Sequence, residues 1–250
     1  MSEGTAPTLR VATYNVHGCV GMDRRRSESR IAEVIASLSA DIVGLQELDL
    51  SRRRSAGVDQ AALIASQLGW QHLFQAAMRI GEEQYGDAIV SRYPLTLRRV
   101  IELPGEGAWY CREKRVAIWA EAETNLGPVQ IINTHFGLGR AERLLQASFL
   151  ASEEVLGQVA ADAPLILLGD FNSLAGRRTH RLLANTFPDL RTLLPAAGPC
   201  RTFPTRLPSV AVDHIFVSGA LKPTSLAVHR SALARVASDH FPLVAEFQRV

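Results

Sequence analysis

The sequence predicts a mixed α/β fold, and three observations carry the prediction. Short apolar runs alternate with amphipathic helical patterns. Some neighbouring runs are joined by turn-length segments and others by helical ones. No low-complexity or linker-like stretch divides the 250 residues, which suffice for a sizeable core. Hairpins beside helical crossovers imply a mixed sheet, or two stacked sheets with helices outside. The organisation expected is one domain over residues 9–250 behind a flexible stretch at 1–8.

"LRVATYN" opens as a strand at residues 9–14. Residues 27–38 place Ile31, Val34, Ile35 and Leu38 at the i, i+3, i+4, i+7 spacing of a helix with one apolar face. "DIVGLQELD" is the second strand. "DQAALIASQLG" is a helix with Asp59 as N-cap and Gly69 just past its end. "DAIVSRYPL" is a strand that stops before Pro94. "RVAIWAEAET" alternates as a strand and pairs with "GPVQIINTHF" after a turn at residues 125–128. Residues 140–160 read as one long helix. "PLILLGDFN" is a short apolar strand, and "VDHIFVSG" and "PLVAEFQRV" are the last two.

Composition excludes several classes. With 47% hydrophobic and 21% charged residues, the chain is neither disordered nor fibrous. No apolar stretch approaches the roughly 18 residues needed to span a bilayer, and "MSEGTAPTLR" lacks the apolar core of a secretory signal. Cys19, Cys111 and Cys200 are scattered and odd in number, which suggests neither a disulfide framework nor a zinc site. A cytoplasmic, monomeric protein is the default expectation.

The polar residues are placed unusually. The apolar runs lead to Asn15, to Gln46 and Glu47, to Asn133 and His135, and to Asp170 and Asn172. The last two begin at Asp213 and His214 and at Asp239 and His240. In each case the polar group sits at the edge of an apolar run. If the last two strands run antiparallel to the others, all six clusters converge on one rim, where α/β sheets bind ligands. The set holds carboxylates, amides and imidazoles, with no Ser-His-acid order and no cysteine beside a histidine. Oxygen donors suit Mg²⁺ or Mn²⁺, and neutral amides and imidazoles leave room for a phosphate. Together they indicate metal-assisted hydrolysis of a phosphate ester.

These motifs resemble, in order, those of the endonuclease/exonuclease/phosphatase superfamily, built like deoxyribonuclease I: "YNVHG", "LQELD", "NTHFG", "GDFN", "VDHIFVS" and "SDHFP". They cover residues 9–247. The resemblance implies a four-layer α/β sandwich, two mixed β-sheets face to face with helices outside, and a divalent-metal phosphoesterase. It also implies roles. Glu47 is the central metal ligand, helped by Asn15 and, from the far side, Asp239. Asp170 orients or deprotonates the attacking water, or binds a second metal. Asn172 holds that water or the phosphate, and His135 donates to a phosphate oxygen. His240 contacts the phosphate or acts as general acid/base, with Asp213 fixing its tautomer and raising its pKa. Arg115 is the expected phosphate contact in "CREKRVAIW", with Arg112 as the other alignment. Asp87 stands where the family usually has an amide, so its role stays open.

Among the 27 basic residues only Lys114 and Lys222 are lysine. Arginines cluster at 23–26 and 51–54, at Arg140 and Arg143, and at 176–181, each following a motif. A basic rim fits an anionic substrate larger than one phosphate. The net charge of +2 argues against a dedicated duplex-binding protein. A phospholipid or phosphoinositide head group, with peripheral lipid contact, is therefore the preferred substrate reading, and DNA cleavage is the alternative. "PGEGAWYC" offers Trp109 and Tyr110 as a substrate loop. A non-catalytic binding module on the same fold is a third reading, disfavoured because Glu47, Asp170 and His240 are all present.

Overall fold

A computed structural model describes residues 6–105, 113–160 and 162–250. Trp109, Tyr110 and Arg112, and most of the N-terminal stretch expected to be flexible, lie outside the described residues. The strands are β1 (Leu9–Asn15), β2 (Ile42–Leu50), β3 (Gln71–Ile80), β4 (Glu83–Ser91), β5 (Leu95–Leu103), β6 (Arg115–Thr124), β7 (Gly127–His135), β8 (Leu165–Asp170), β9 (Asp213–Ser218), β10 (Leu221–Val228) and β11 (Leu243–Arg249). The helices are α1 (Glu28–Ser37), α2 (Gln60–Leu68), α3 (Arg140–Leu150), α4 (Arg178–Thr186), α5 (Leu190–Leu193) and α6 (Ala232–Ala237). No helix among the described residues is long and apolar enough to cross a membrane.

The strands form a six-stranded sheet, β10-β11-β1-β2-β4-β3, and a five-stranded sheet, β5-β6-β7-β8-β9. Each is mixed. β1 and β2 are parallel across α1, and β7 and β8 are parallel across α3. β11 lies antiparallel to β1, and β9 antiparallel to β8. The C-terminal ends of the parallel pairs therefore meet the N-terminal ends of β9 and β11, the convergence expected from the motifs.

Alternation along the strands divides the core into three. Val11, Ile42, Ile89, Ile131, Ile166 and Leu243 fill the space between the sheets. Their neighbours face outward: Val43, Leu45 and Leu48 pack under the α1 stripe Ile31, Val34 and Ile35, and Ile132, Leu167 and Phe216 pack with Phe136 and Leu150 on the other side. Each such side chain contributes about 1.5–3 kcal/mol by leaving water. The sandwich of helix, sheet, sheet and helix layers follows. The anticipated caps of α2 form: Asp59 Oδ1 accepts from Ala62 N, and Gly69 adopts a left-handed conformation past its end; α1 is capped by Ser27, whose Oγ accepts from Arg30 N.

Two sequence expectations are corrected. The helix expected over 140–160 ends at Leu150, and turns with a short 3₁₀ segment follow. The buried face of Ala147 and Leu150 would continue onto Glu153 and Glu154, so the apolar stripe runs out; the chain turns and buries Val155 and Leu156 instead. The edge strands β3, β5 and β10 were not anticipated. Each carries a register shift that breaks the alternation of its side chains, at Ala76/Met78, Leu97/Arg99 and Pro223/Ser225.

A further bulge matters more. Leu45 pairs with Ala88 and Leu48 with Gly86, so Gln46 and Glu47 together oppose Asp87. Leu48 thereby resumes the outward row of Leu45, and Glu47 is released to the sheet end. Asn133, reaching across from β7, donates its amide to Leu45 O at 3.0 Å and Ala88 O at 2.9 Å, and accepts from Gln46 Nε2 at 2.7 Å. Gly44 leaves room for it: a Cβ there would stand 2.7 Å from Asn133 Oδ1 and 2.2 Å from Leu168 Cδ1. Asn133→Ala would take the side-chain donor from two buried carbonyls and leave the Gln46 amide only Thr13 Oγ1 and Gly44 O. It is expected to cost about 2–4 kcal/mol in denaturant unfolding, while a loss under about 1 kcal/mol would mean that the clamp is dispensable.

Candidate active site

The strand ends enclose a cavity of about 520 Å³, lined among others by Glu47, Asp170, Asp239, His135, His240 and Asn172. The backbone at two of these positions is special. Glu47, in the bulge, has φ 65° and Asn172 has φ 49°, values that cost a non-glycine residue free energy and concentrate at functional sites. Asn172 is held there by its own N–H, which donates to Asp170 Oδ1 at 2.9 Å; the "GDFN" turn is thus an Asx turn that also aims a side chain inward.

Asn15 joins two of the carboxylates. Its Nδ2 donates to Glu47 Oε1 at 3.0 Å and to Asp170 Oδ2 at 3.1 Å, while its Oδ1 accepts from His17 N at 3.0 Å. The backbone donor fixes the amide orientation, so nitrogen rather than oxygen faces the carboxylates. Asp239 stands apart, with His17 Nδ1 4.0 Å away. Glu47 has no ion-pair partner among the described residues.

The two imidazoles differ in charge. His240 Nδ1 is 2.9 Å from Asp213 Oδ2, which also accepts from Thr202 Oγ1, and His240 Nε2 lies 3.7 Å from Asp170 Oδ2. Burial alone would lower the His240 pKa. The carboxylates of Asp213, Asp170 and Asp239 outweigh it and hold the imidazolium up to about 10. The Phe203 ring covers its face at 4.8 Å. His135 is the opposite case. Burial, with the Arg115 guanidinium and His240, pushes it well below the usual range, so it is neutral. Arg115 Nη1 lies 3.0 Å from His135 Nδ1 and can only donate. The ring hydrogen therefore sits on Nε2, 3.7 Å from Asp170 Oδ2. Asn172 Nδ2 donates to Phe136 O at 2.9 Å. Its 3.1 Å approach to His135 Nε2 is then a close contact between two donors.

Burial pushes the Asp170 carboxyl up to about 7, against the pull of His240. Burial also raises Asp87 to about 7, with Arg115 opposing. Arg115 is itself buried and bound to Glu113 at 2.8 Å, so it reaches the cavity wall beside His135 rather than standing free. Glu47, Asp170 and Asp239 supply hard oxygen donors at one cavity, and the unpaired Glu47 suits a divalent cation.

Three polar strand-end residues are directed elsewhere. Gln46 and Asn133 knit the sheets together. His214 donates from Nε2 to Ser173 O at 2.7 Å, and its Nδ1 meets Asp189 and Arg191. His180, Asp189 and His214 have metal-ligand atoms within 4.8 Å of one another, but Gly176 N–H already occupies His180 Nδ1 and the Arg191 guanidinium sits at Asp189. A fixed cation there excludes a second one, so the cluster is structural. Arg191 donates onward to Asp213 O and braces the residue behind His240. Sequence reasoning missed this brace, and also Thr202, Phe203 and Tyr85. Tyr85 lines the cavity under the guanidiniums of Arg52 and Arg54, 5.7 and 5.4 Å from its ring centre. Only the arginine clusters hinted at it.

The architecture recurs in solved structures. An endonuclease/exonuclease/phosphatase from Beutenbergia cavernae superposes with TM-score 0.78 at 22% identity, covering 97% of this chain and 72% of that one. The human Nocturnin catalytic domain with bound sulfate gives 0.72 at 22%, covering 98% and 96%. A mannosyl-6-phosphatase from Bacteroides thetaiotaomicron gives 0.71 at 21%, covering 96% and 99%. In sequence, the uncharacterised protein YbhP of Escherichia coli K12 is 27% identical over 96% of both chains. The sequence pattern of the endonuclease/exonuclease/phosphatase family matches residues 12–240, the span from β1 to His240, and the chain belongs to that family.

Proposed function

We propose that the protein is a metal-dependent phosphoesterase that hydrolyses an anionic phosphodiester. The observation that carries this reading is the convergence of Glu47, Asp170 and Asp239 with a neutral His135 and a cationic His240 on one cavity. Asn15, expected from the sequence as a metal ligand, instead orients Glu47 and Asp170 through its amide nitrogen, because its oxygen is taken by the His17 N–H. Glu47 and Asp239 would hold Mg²⁺ or Mn²⁺, and Asp170 lies near enough to share the ion. Bound there, the ion supplies Lewis-acid stabilisation of charge on the phosphate.

The protein's own groups do the rest. Asp170, with its carboxyl raised toward neutrality, accepts the proton of the attacking water. His135 presents Nε2–H to a phosphate oxygen without bringing a charge. His240, charged and held by Asp213, binds a second phosphate oxygen and donates a proton toward the leaving group. Asn172 contacts the phosphate or the water, and Arg115 fixes the His135 tautomer from behind while adding positive potential. The preferred substrates are phospholipid or phosphoinositide-type diesters. Nucleic acid is the second reading, favoured by the arginines Arg26, Arg52 and Arg54 along the cavity wall.

Hydrolysis of bis-p-nitrophenyl phosphate is expected to require Mg²⁺ or Mn²⁺ and to stop in excess chelator. Glu47→Gln should raise the metal concentration needed for half-maximal rate. His240→Ala and Asp170→Asn should each lower kcat by about 10²-fold or more. Full activity in chelator, or a near-normal rate in either variant, would reject the reading.

Asp87 gives a separate pH test in metal-free protein. Its folded pKa of about 7 lies above the ordinary value of 3.8. The unfolded chain thus releases this proton first, and stability falls as pH rises through that interval. Asp87→Asn removes the penalty. The variant should gain on the wild type by about 2–3 kcal/mol between pH 5 and pH 8 in urea unfolding. A pH-independent difference would show that Asp87 ionises without cost.

A further inference from the structure

A second cavity of about 310 Å³ adjoins the first, and Asn172 lines both. Its wall carries Arg140, Arg143, Arg177 and Arg178, and no carboxylate among the described residues. Arg140, Arg177 and Arg178 form no ion pair among the described residues. This contrasts with the first cavity, where Arg52 and Arg54 face Asp49, and Arg26 faces Glu28. The Arg140, Arg177 and Arg178 guanidiniums, gathered at one cavity, repel one another, a cost that a bound anion removes. The floor makes the same point independently. Ser173 and Thr179 line the cavity, each only 5% exposed, and neither hydroxyl has a hydrogen-bond partner among the described residues. The cavity also lies at the first turn of α4, which starts without a side-chain cap, so its amide end adds to the positive potential; at α3 the Glu142 carboxylate already caps the first turn.

We propose that this cavity is a subsite for a second phosphate group of the substrate, one placed beyond the phosphate at His135, Asn172 and His240. The inference rests on the phosphoesterase reading for its place in the reaction, but not for the binding of the anion. It narrows the substrate class to phosphodiesters carrying a further phosphate, as a nucleotide chain or a phosphorylated inositol head group does. A substrate spanning both cavities passes over Asn172, so the remote phosphate sets which ester bond is presented to Asp170.

Two matched substrate pairs test it: p-nitrophenyl thymidine 3′-phosphate with and without a 5′-phosphate, and glycerophosphoinositol with and without a ring phosphate. In the wild type the remote phosphate should lower KM at least tenfold in one pair, and that pair identifies the source. In the triple variant Arg140→Ala/Arg177→Ala/Arg178→Ala, whose side chains are exposed and outside the core, the tenfold preference should vanish. No preference in either pair, or one that survives in the variant, overturns the subsite. If no substrate is hydrolysed, the phosphoesterase reading fails. The subsite then stands on calorimetry with inorganic pyrophosphate in chelator: at least tenfold weaker binding by the variant supports it, and equal affinity overturns it.

Discussion

One asparagine joins the two sheets where the site begins. The bulge in β2 leaves the Leu45 and Ala88 carbonyls turned into the space between the sheets, and Asn133 satisfies both from the opposing strand. Without the bulge, Glu47 would follow Leu45 into the outward row beneath α1. With it, Glu47 sits at the sheet end in a left-handed conformation, beside Asn15 and across the cavity from His135. The distance between the two sheets, and so between the metal side and the phosphate side of the cavity, depends on this clamp and on the bare Cα of Gly44 that admits it.

Electrostatics in the cavity follows from the same burial. Three carboxylates and two imidazoles share a region with little water, so each group's charge is set by its neighbours. His240 faces Asp213 and Asp170 and is held charged; His135 faces Arg115 and is held neutral. Chemically similar rings a few ångströms from the same Asp170 oxygen thereby take different tasks. Support comes from residues outside the cavity. Thr202 and Arg191 fix Asp213 at its side chain and at its carbonyl, and the Asp189–His180–His214 cluster fixes Arg191.

Much of this was legible in the sequence, for a physical reason. A buried strand cannot carry a polar side chain in its middle without a partner, so polar residues at the ends of apolar runs mark the rim. That logic placed Glu47, Asp170, Asn172, His135, Asp213, Asp239 and His240 together. It could not separate residues that face the cavity from those that turn inward: Asn133 stands two residues before His135, and His214 directly follows Asp213, yet both serve packing. The bulge was equally hidden, because "LQELD" reads as ordinary alternation until the partner strand is seen. Edge strands escaped because only one neighbour constrains them; the end of α3 was legible, since Glu153 and Glu154 fall on the stripe at i+3 and i+4 from Leu150, but the expected helix over 140–160 ran past that signal.

The measurement that bears most directly on the central claim is a crystal structure of the protein soaked with Mn²⁺ and inorganic phosphate, using manganese anomalous scattering. The account predicts one manganese peak at the Glu47 carboxylate within reach of Asp239, and phosphate oxygens against His135, Asn172 and His240. Manganese at the Asp189 cluster, or none beside Glu47 at saturating concentration, would contradict it.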